Sequence, residues 1–135
     1  MALKDSVTEA IADLRVGFPG AEVHVVEDGQ GGAHVTLDPV ALDGNVFVQE
    51  ETWVGFHLCH LLPNADVYPI HVRPDLTRRD GTELKENAVN PGNNFQGRAS
   101  MMLSRRSNRR DAEVDTPVLK VLRVLDWLTN RWPQP

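Results

Sequence analysis

The sequence predicts an α+β domain spanning residues 1–135, with an N-terminal helix, a four-stranded antiparallel meander, a long loop and a packed C-terminal helix. Three observations lead to this prediction. Apolar residues recur at helical spacing near both ends of the chain, and β-branched residues alternate with polar ones in its first half. Asparagine, glycine and charged residues fill the section 77–97, for which we expect about twenty residues of loop.

The two predicted helices carry different terminal signals. Ser6 begins a capping box, and Gly17 ends the first helix. Thr116 is the expected N-cap of the last helix, and Pro117 stands at its first position, where a missing N–H costs nothing. The residues predicted to form the apolar surface of this helix are Val118, Leu119, Val121, Leu122, Val124, Leu125, Trp127 and Leu128.

The first, second and fourth strands are short. The segments AEVHVVE (21–27) and AHVTL (33–37) are predicted to form a hairpin through the glycine-rich turn EDGQGG, and DPVALDG (38–44) reads as a further turn. In DVYPIHVRPDL, Pro69 and Pro74 bracket a short extended segment. Proline there predicts either an edge strand or a turn that leads into the strand.

The third strand is predicted within NVFVQEETWVGFHLCHLLP, residues 45–63. A period of two divides its side chains between two faces. We expect the apolar face to join the core: Val54, Phe56, Leu58 and Leu62. The other face is mixed, and another element or a partner is expected to cover it: Trp53, His57, Cys59 and Leu61.

Composition excludes several classes of protein. The formal net charge of -5 argues against a general polyanion binder, and the single cysteine, Cys59, excludes an internal disulfide within this sequence. No apolar run approaches the ~18 residues of a membrane span. The amphipathic N-terminus is unlike a signal peptide. We therefore expect a cytoplasmic protein that does not contact membranes.

Positive charge is concentrated late in the chain. Eight of the eleven arginines lie between Arg73 and Arg110, and the segment QGRASMMLSRRSNRRDAEVD (96–115) holds five of them. Such a cluster binds nucleic acid, forms a solvated face or contacts an acidic protein. Because no aromatic residue beyond Phe95 accompanies it to stack on bases, we favour an acidic protein partner. The five arginines are Arg98, Arg105, Arg106, Arg109 and Arg110.

Three segments resemble ubiquitin-conjugating enzymes, and in particular a divergent bacterial group found in operons for ubiquitin-like modification. They are LPNADVYPIHVRP, NPGNNFQGRASMML and DTPVLKVLRVLDWL, and the resemblance covers roughly residues 5–130. It implies a ubiquitin-conjugating fold, with the active site on the long loop. It also implies two partners, an activating enzyme and a ubiquitin-like protein, and no cofactor.

The family's chemistry is thioester transfer through a cysteine thiolate. At the corresponding position this sequence has Ser100, or Ala99 or Ser104 if the match shifts, whereas Cys59 falls in the third strand. Ser100 would therefore act as an oxygen nucleophile, or the protein does not catalyse transfer. In the catalytic case the resemblance assigns His71 as the base. It assigns an asparagine amide, Asn94 among Asn90, Asn93 and Asn94, to stabilise the oxyanion.

The resemblance also implies two binding surfaces. The residues expected to hold the ubiquitin-like protein are Arg98, Ser104 and Arg105, and those expected to contact the activating enzyme on the first helix are Lys4, Asp5, Thr8 and Ala12. Two alternatives stay open: a noncatalytic scaffold that binds the same partners, and an α+β module that binds nucleic acid through its arginine face. We expect no metal site. A zinc site needs three or four ligands that converge, and the spacing of His57, Cys59, His60 and His71 is only a weak signal for such a set.

Overall fold

The computed structural model describes residues 2–107, 111 and 115–134, which form two helices and a six-stranded antiparallel sheet. The predicted α+β class is therefore confirmed. Within the described residues, neither helix is long and apolar enough to cross a membrane. In chain order the elements are α1 (Asp5–Gly17), β1 (Glu22–Glu27), β2 (Ala33–Ala41), β3 (Glu51–Leu58), β4 (Ile70–Val72), β5 (Val89–Phe95), β6 (Arg98–Leu103) and α2 (Pro117–Asn130).

Helix α1 begins earlier than its sequence signal predicts. Lys4 is the N-cap, so the capping box predicted for Ser6 is wrong. The carbonyl of Lys4 accepts a hydrogen bond from the Thr8 N–H at 3.0 Å. Asp5 occupies the first turn, where the helix dipole favours a carboxylate. The buried side chains of α1 recur at helical spacing: Val7, Ala10, Ile11 and Leu14.

The sheet has the strand order β1-β2-β3-β4-β6-β5. The predicted β1–β2 hairpin is confirmed, and its turn is held by Asp28, whose Oδ1 accepts hydrogen bonds from the N–H groups of Gln30 and Gly32. The turn predicted over 38–44 is partly wrong, because β2 continues to Ala41. A shift in its pairing with β3 after Leu37 accommodates the extra residues.

Strand β4 lies between β3 and β6 and is therefore not an edge strand. The edge position predicted from its prolines is wrong. Pro69 precedes β4 and Pro74 follows it, so neither removes an N–H from the ladder. The prolines instead limit the strand to three residues.

The loop predicted over 77–97 is wrong for 89–95, which form β5. Because β5 is an edge strand, it tolerates Pro91 at a shift in its pairing with β6. Gln96 and Gly97 have φ values of 50° and 78° and make a two-residue turn of the kind that joins hairpin strands. The four predicted strands thus become six, and the segment expected to be an active-site loop is a β-hairpin.

One face of the sheet and both helices enclose the core. Three of the four apolar side chains predicted for the core face of the third strand lie on β3, and the fourth, Leu62, follows it; all four are buried, as predicted. On α2, the Thr116 cap is confirmed, since its Oγ1 accepts a hydrogen bond from Leu119 N–H at 3.3 Å. The wide apolar surface predicted for α2 is wrong at Leu122, which is 46% exposed, because α2 packs on one side only.

Candidate functional site

Two of the predicted catalytic residues meet on neighbouring strands. His71 Nδ1 on β4 lies 2.8 Å from Ser100 Oγ on β6. Burial lowers the pKa of His71, which favours its neutral form. With its proton on Nε2, the neutral ring accepts a hydrogen bond from the Ser100 hydroxyl at Nδ1. The geometry is therefore that of a serine beside a base.

Ser100 does not stand on a loop, as the resemblance implies, but in the middle of β6, opposite Asn93 on β5. It has no exposed surface, and His71 is 9% exposed. A nucleophile must bring its oxygen to about 3–3.5 Å from the atom it attacks. In this conformation the Ser100 hydroxyl has no open approach, so the pair is a buried polar contact rather than an open active site.

Phe95, at the tip of the β5–β6 hairpin, covers the sheet face that carries this pair. Its ring centroid lies 5.0 Å from that of His71 and 6.3 Å from that of Trp53. A Cβ added at Gly55 would fall 2.5 Å from Phe95 Cδ2, so glycine is required under the ring. The expectation that another element covers the second face of β3 is confirmed at Trp53, which is 5% exposed.

Asn94, the third predicted catalytic residue, serves the hairpin turn. Its Oδ1 accepts a hydrogen bond from the Gly97 N–H at 3.0 Å, and its backbone pairs with Ala99. Turn formation is a common role of asparagine. The structure brings together Ser100 and His71 but gives the Asn94 side chain a different partner.

Two further histidines, His34 and His57, lie on the same face of the sheet as Ser100 and His71. The rings of His34 and His57 are 4.7 Å apart, and His57 Nε2 lies 2.7 Å from Asp28 Oδ2. This hydrogen bond lowers the pKa of Asp28 to about 2, while burial lowers the pKa of His34. The described residues contain no group of three or more histidine, cysteine or acidic side chains that could hold a metal ion.

The residues predicted to hold the ubiquitin-like protein lie in two places. Arg98 begins β6 and stacks on Trp53, 4.5 Å from the ring centroid, whereas Arg105 follows the other end of the strand. At about 3.3 Å per residue, they are separated by roughly 20 Å. Ser104 lies beside Arg105, and its Oγ accepts a hydrogen bond from Asn90 Nδ2.

Two arginines of the segment 96–115 pack on aromatic residues from distant parts of the sequence. Arg105 lies over Trp127 with its guanidinium carbon 4.8 Å from the ring centroid, and Arg106 lies over Tyr68 at 4.0 Å. Such stacking leaves the planar edge of a guanidinium free to donate hydrogen bonds. Two members of the predicted cluster, Arg109 and Arg110, lie outside the described residues.

Sequence reasoning missed a buried ionic contact that anchors this segment. Lys120 on α2 is 6% exposed, and its Nζ donates to Asp66 Oδ2 at 3.1 Å and to the Arg105 carbonyl at 2.7 Å. Ser107 donates to both Asp66 oxygens. Burial by itself would raise the pKa of Asp66, but these hydrogen bonds outweigh it and lower the pKa. The helical spacing of Lys120 with Pro117 and Val124 is the signal that places it on the buried side.

The four residues predicted to contact an activating enzyme are exposed on α1 or at its N-cap: Lys4, Asp5, Thr8 and Ala12. Cys59 lies in the turn after β3 rather than within the strand. Its Sγ accepts a hydrogen bond from the Leu61 N–H at 3.4 Å. Cys59 is thus part of a local turn and is not hydrogen-bonded to Ser100 or His71.

The chain was compared with known protein families, with curated proteins and with solved structures, and no match was found.

Proposed function

We propose that this chain is a ubiquitin-conjugating-like module of a bacterial ubiquitin-like modification pathway. It binds the activating enzyme and holds the ubiquitin-like protein without a covalent bond. The resemblance of three sequence segments to the family supports this function, as does the order of an N-terminal helix, antiparallel strands and a C-terminal packed helix. The burial of Ser100, which has no exposed surface, is the observation that supports binding without a covalent bond.

The burial of Ser100 matters because an acyl carrier has to reach a carbonyl carbon held by another protein. The Ser100 hydroxyl lies within a paired strand and is hydrogen-bonded to His71. The only cysteine, Cys59, makes a local turn contact after β3. Ser100 is therefore not arranged as the carrier that the family's thioester chemistry requires, and Cys59, with His60 Nδ1 3.8 Å from its Sγ, lies outside the pair of Ser100 and His71.

The contact between Ser100 and His71 supports a second candidate function, transfer through a serine oxyester. In that reaction His71 would take the hydroxyl proton as Ser100 Oγ forms the ester bond and the activating enzyme's thiolate leaves. The 2.8 Å distance and the lowered pKa of His71 suit this role. The hairpin would have to open, since both side chains are buried.

The exposed side of α1 suits the proposed docking of the activating enzyme. Asp5, Thr8 and Ala12 recur at helical spacing along it, and Val16 continues the same row one turn further. Val16 is 81% exposed, the largest exposed fraction among the large hydrophobic residues of the described chain. In the proposed docking surface Val16 is the apolar anchor.

Replacing Val16 with lysine is expected to weaken binding of the activating enzyme about tenfold or more, because an anchor residue at the centre of an interface contributes ~2 kcal/mol. Isothermal titration calorimetry with the activating-type enzyme encoded in the same operon measures the effect. The absence of such a gene beside this one would count against the proposed function.

Val26→Lys is the matched control. Val26 is 53% exposed but lies on β1 rather than on α1, so its replacement should leave the affinity unchanged. Equal weakening by both variants would point to a nonspecific effect of the added charge. No change with Val16→Lys would remove α1 from the proposed docking surface.

A further inference from the structure

A cavity of about 390 Å³ lies between the segment after β6 and helix α2. Cationic side chains dominate its lining, and Trp127 forms part of its wall. It does not include the buried pair of Ser100 and His71. Its cationic residues are Arg105, Arg106, Lys120, Arg123 and Arg131.

Part of this positive charge is already neutralised. Asp66 accepts a hydrogen bond from Lys120, and Asp115 forms an ion pair with Arg123. Asp126, the one carboxylate among the described residues of the lining, offsets a third charge. Counted over the residues that the structure describes, the charge of about two of the five cations remains for a ligand.

The remaining charge comes from three arginines. Arg105, Arg106 and Arg131 form no ion pair with any residue that the structure describes. Two of them are oriented by stacking, Arg105 on Trp127 and Arg106 on Tyr68. The hydrogen bond from Lys120 to the Arg105 carbonyl fixes the backbone beneath them. The guanidinium groups of Arg105 and Arg106 are therefore held in place before any ligand arrives, which lowers the entropic cost of binding.

A second cavity, of about 570 Å³, adjoins the first and shares Arg105, Arg106 and Trp127 with it. Its other walls include Tyr68 and Pro133. One side of the arginine pair is thus basic and the other is partly aromatic and apolar. A ligand that fills both cavities combines an anionic group with an apolar or aromatic body.

We propose that the basic cavity binds the phosphate group of a small-molecule phosphate monoester, whose organic part occupies the adjoining aromatic cavity. A phosphate monoester carries close to two negative charges at neutral pH and has three acceptor oxygens, which matches the residual charge and the number of unpaired arginines. A carboxylate has one charge and two oxygens, and it would leave one arginine unmatched. This inference does not depend on the proposed binding of a ubiquitin-like protein.

Isothermal titration calorimetry with phenyl phosphate, inorganic phosphate and benzoate tests the proposal. We expect saturable binding of one phenyl phosphate per chain, about tenfold tighter than inorganic phosphate because the ring enters the aromatic cavity. Benzoate should bind about tenfold more weakly than phenyl phosphate, since it makes fewer charge-assisted hydrogen bonds. Benzoate binding as tightly as phenyl phosphate would overturn the assignment to phosphate.

Variants locate the site. Arg131→Gln should weaken phenyl phosphate binding about tenfold, as expected for the loss of one charge-assisted hydrogen bond. Arg15→Gln on α1, outside both cavities, should have no effect. Unchanged binding by Arg131→Gln would overturn the proposal. Strongly salt-dependent binding of single-stranded DNA without binding of phenyl phosphate would also overturn it, in favour of a polyanion surface.

Discussion

Replacing Lys120 with methionine is expected to lower the free energy of unfolding by about 3 kcal/mol. Methionine keeps the length of the side chain but removes the ammonium group. Asp66 then loses its ion pair with Lys120 in a largely buried position, where removal of one member of an ion pair typically costs ~3–5 kcal/mol. The Arg105 carbonyl and the Ser107 hydroxyl lose a donor as well. Urea denaturation followed by circular dichroism measures the change.

Lys85→Met is the matched control for this prediction. Lys85 forms an ion pair with Glu83, but both side chains are mostly exposed, at 58% and 74%. Exposed ion pairs contribute little to stability because water screens them. No measurable change is expected for Lys85→Met. If Lys120→Met were as stable as the wild-type protein, the segment 104–107 would not depend on this contact, and the arginines of the basic cavity would lack their support.

Replacing Phe95 with alanine is expected to cost about 3 kcal/mol, at the lower end of the range for removal of a buried phenylalanine. The ring is 8% exposed and packs between the rings of Trp53 and His71, directly over Gly55. Thermal and urea denaturation measure the loss. A cost of less than about 1 kcal/mol would mean that the hairpin tip does not cover this face of the sheet in solution.

A double-mutant cycle with Gly55→Ala distinguishes loss of the packing of Phe95 over Gly55 from a general weakening of the hairpin. The added methyl group would meet the Phe95 ring at 2.5 Å, so Gly55→Ala alone should be destabilising. In the Phe95→Ala background the same change should cost much less, because the clashing ring is absent. Additive costs would contradict the packing of Phe95 over Gly55.

The sequence predicted the main features of the fold wherever a local pattern determines an element. The alternation in β1 and β2 and the Thr116–Pro117 start of α2 are local signals, and all three elements are confirmed. Strand β5 was missed because an edge strand with one exposed side is polar, and Asn, Pro and Gly there read as a loop. The two-residue turn at Gln96 and Gly97 was the available signal.

The candidate site was predicted only in part, because some of its features arise from tertiary packing rather than from a local pattern. The proximity of His71 to Ser100 was expected from the family resemblance, and the structure brings them within 2.8 Å. The burial of Ser100 was not expected, because it depends on β6 having a strand on each side and on Phe95 covering this face of the sheet. Contacts such as Lys120 with Asp66, 54 residues apart, arise from tertiary packing and leave no local pattern.

The arginine segment illustrates the same limit. Its composition suggested a single charged surface, yet Arg98 and Arg105 lie at opposite ends of β6. The aromatic partners of Arg98 and Arg105, Trp53 and Trp127, are remote in sequence. A strand separates neighbouring charges by its length, so a cluster in the sequence becomes two sites in the fold.

The claim to test first is our proposal that the module holds a ubiquitin-like protein without forming a covalent bond to it. Intact-mass spectrometry after incubation with the activating enzyme, ATP and the ubiquitin-like protein tests the claim most directly, with Ser100→Cys and Ser100→Ala as companion variants. We expect unmodified mass for the wild-type protein and both variants, together with a noncovalent complex on gel filtration. Any covalent adduct on the wild-type protein would contradict the claim, and its disappearance in Ser100→Ala would establish Ser100 as the acyl carrier.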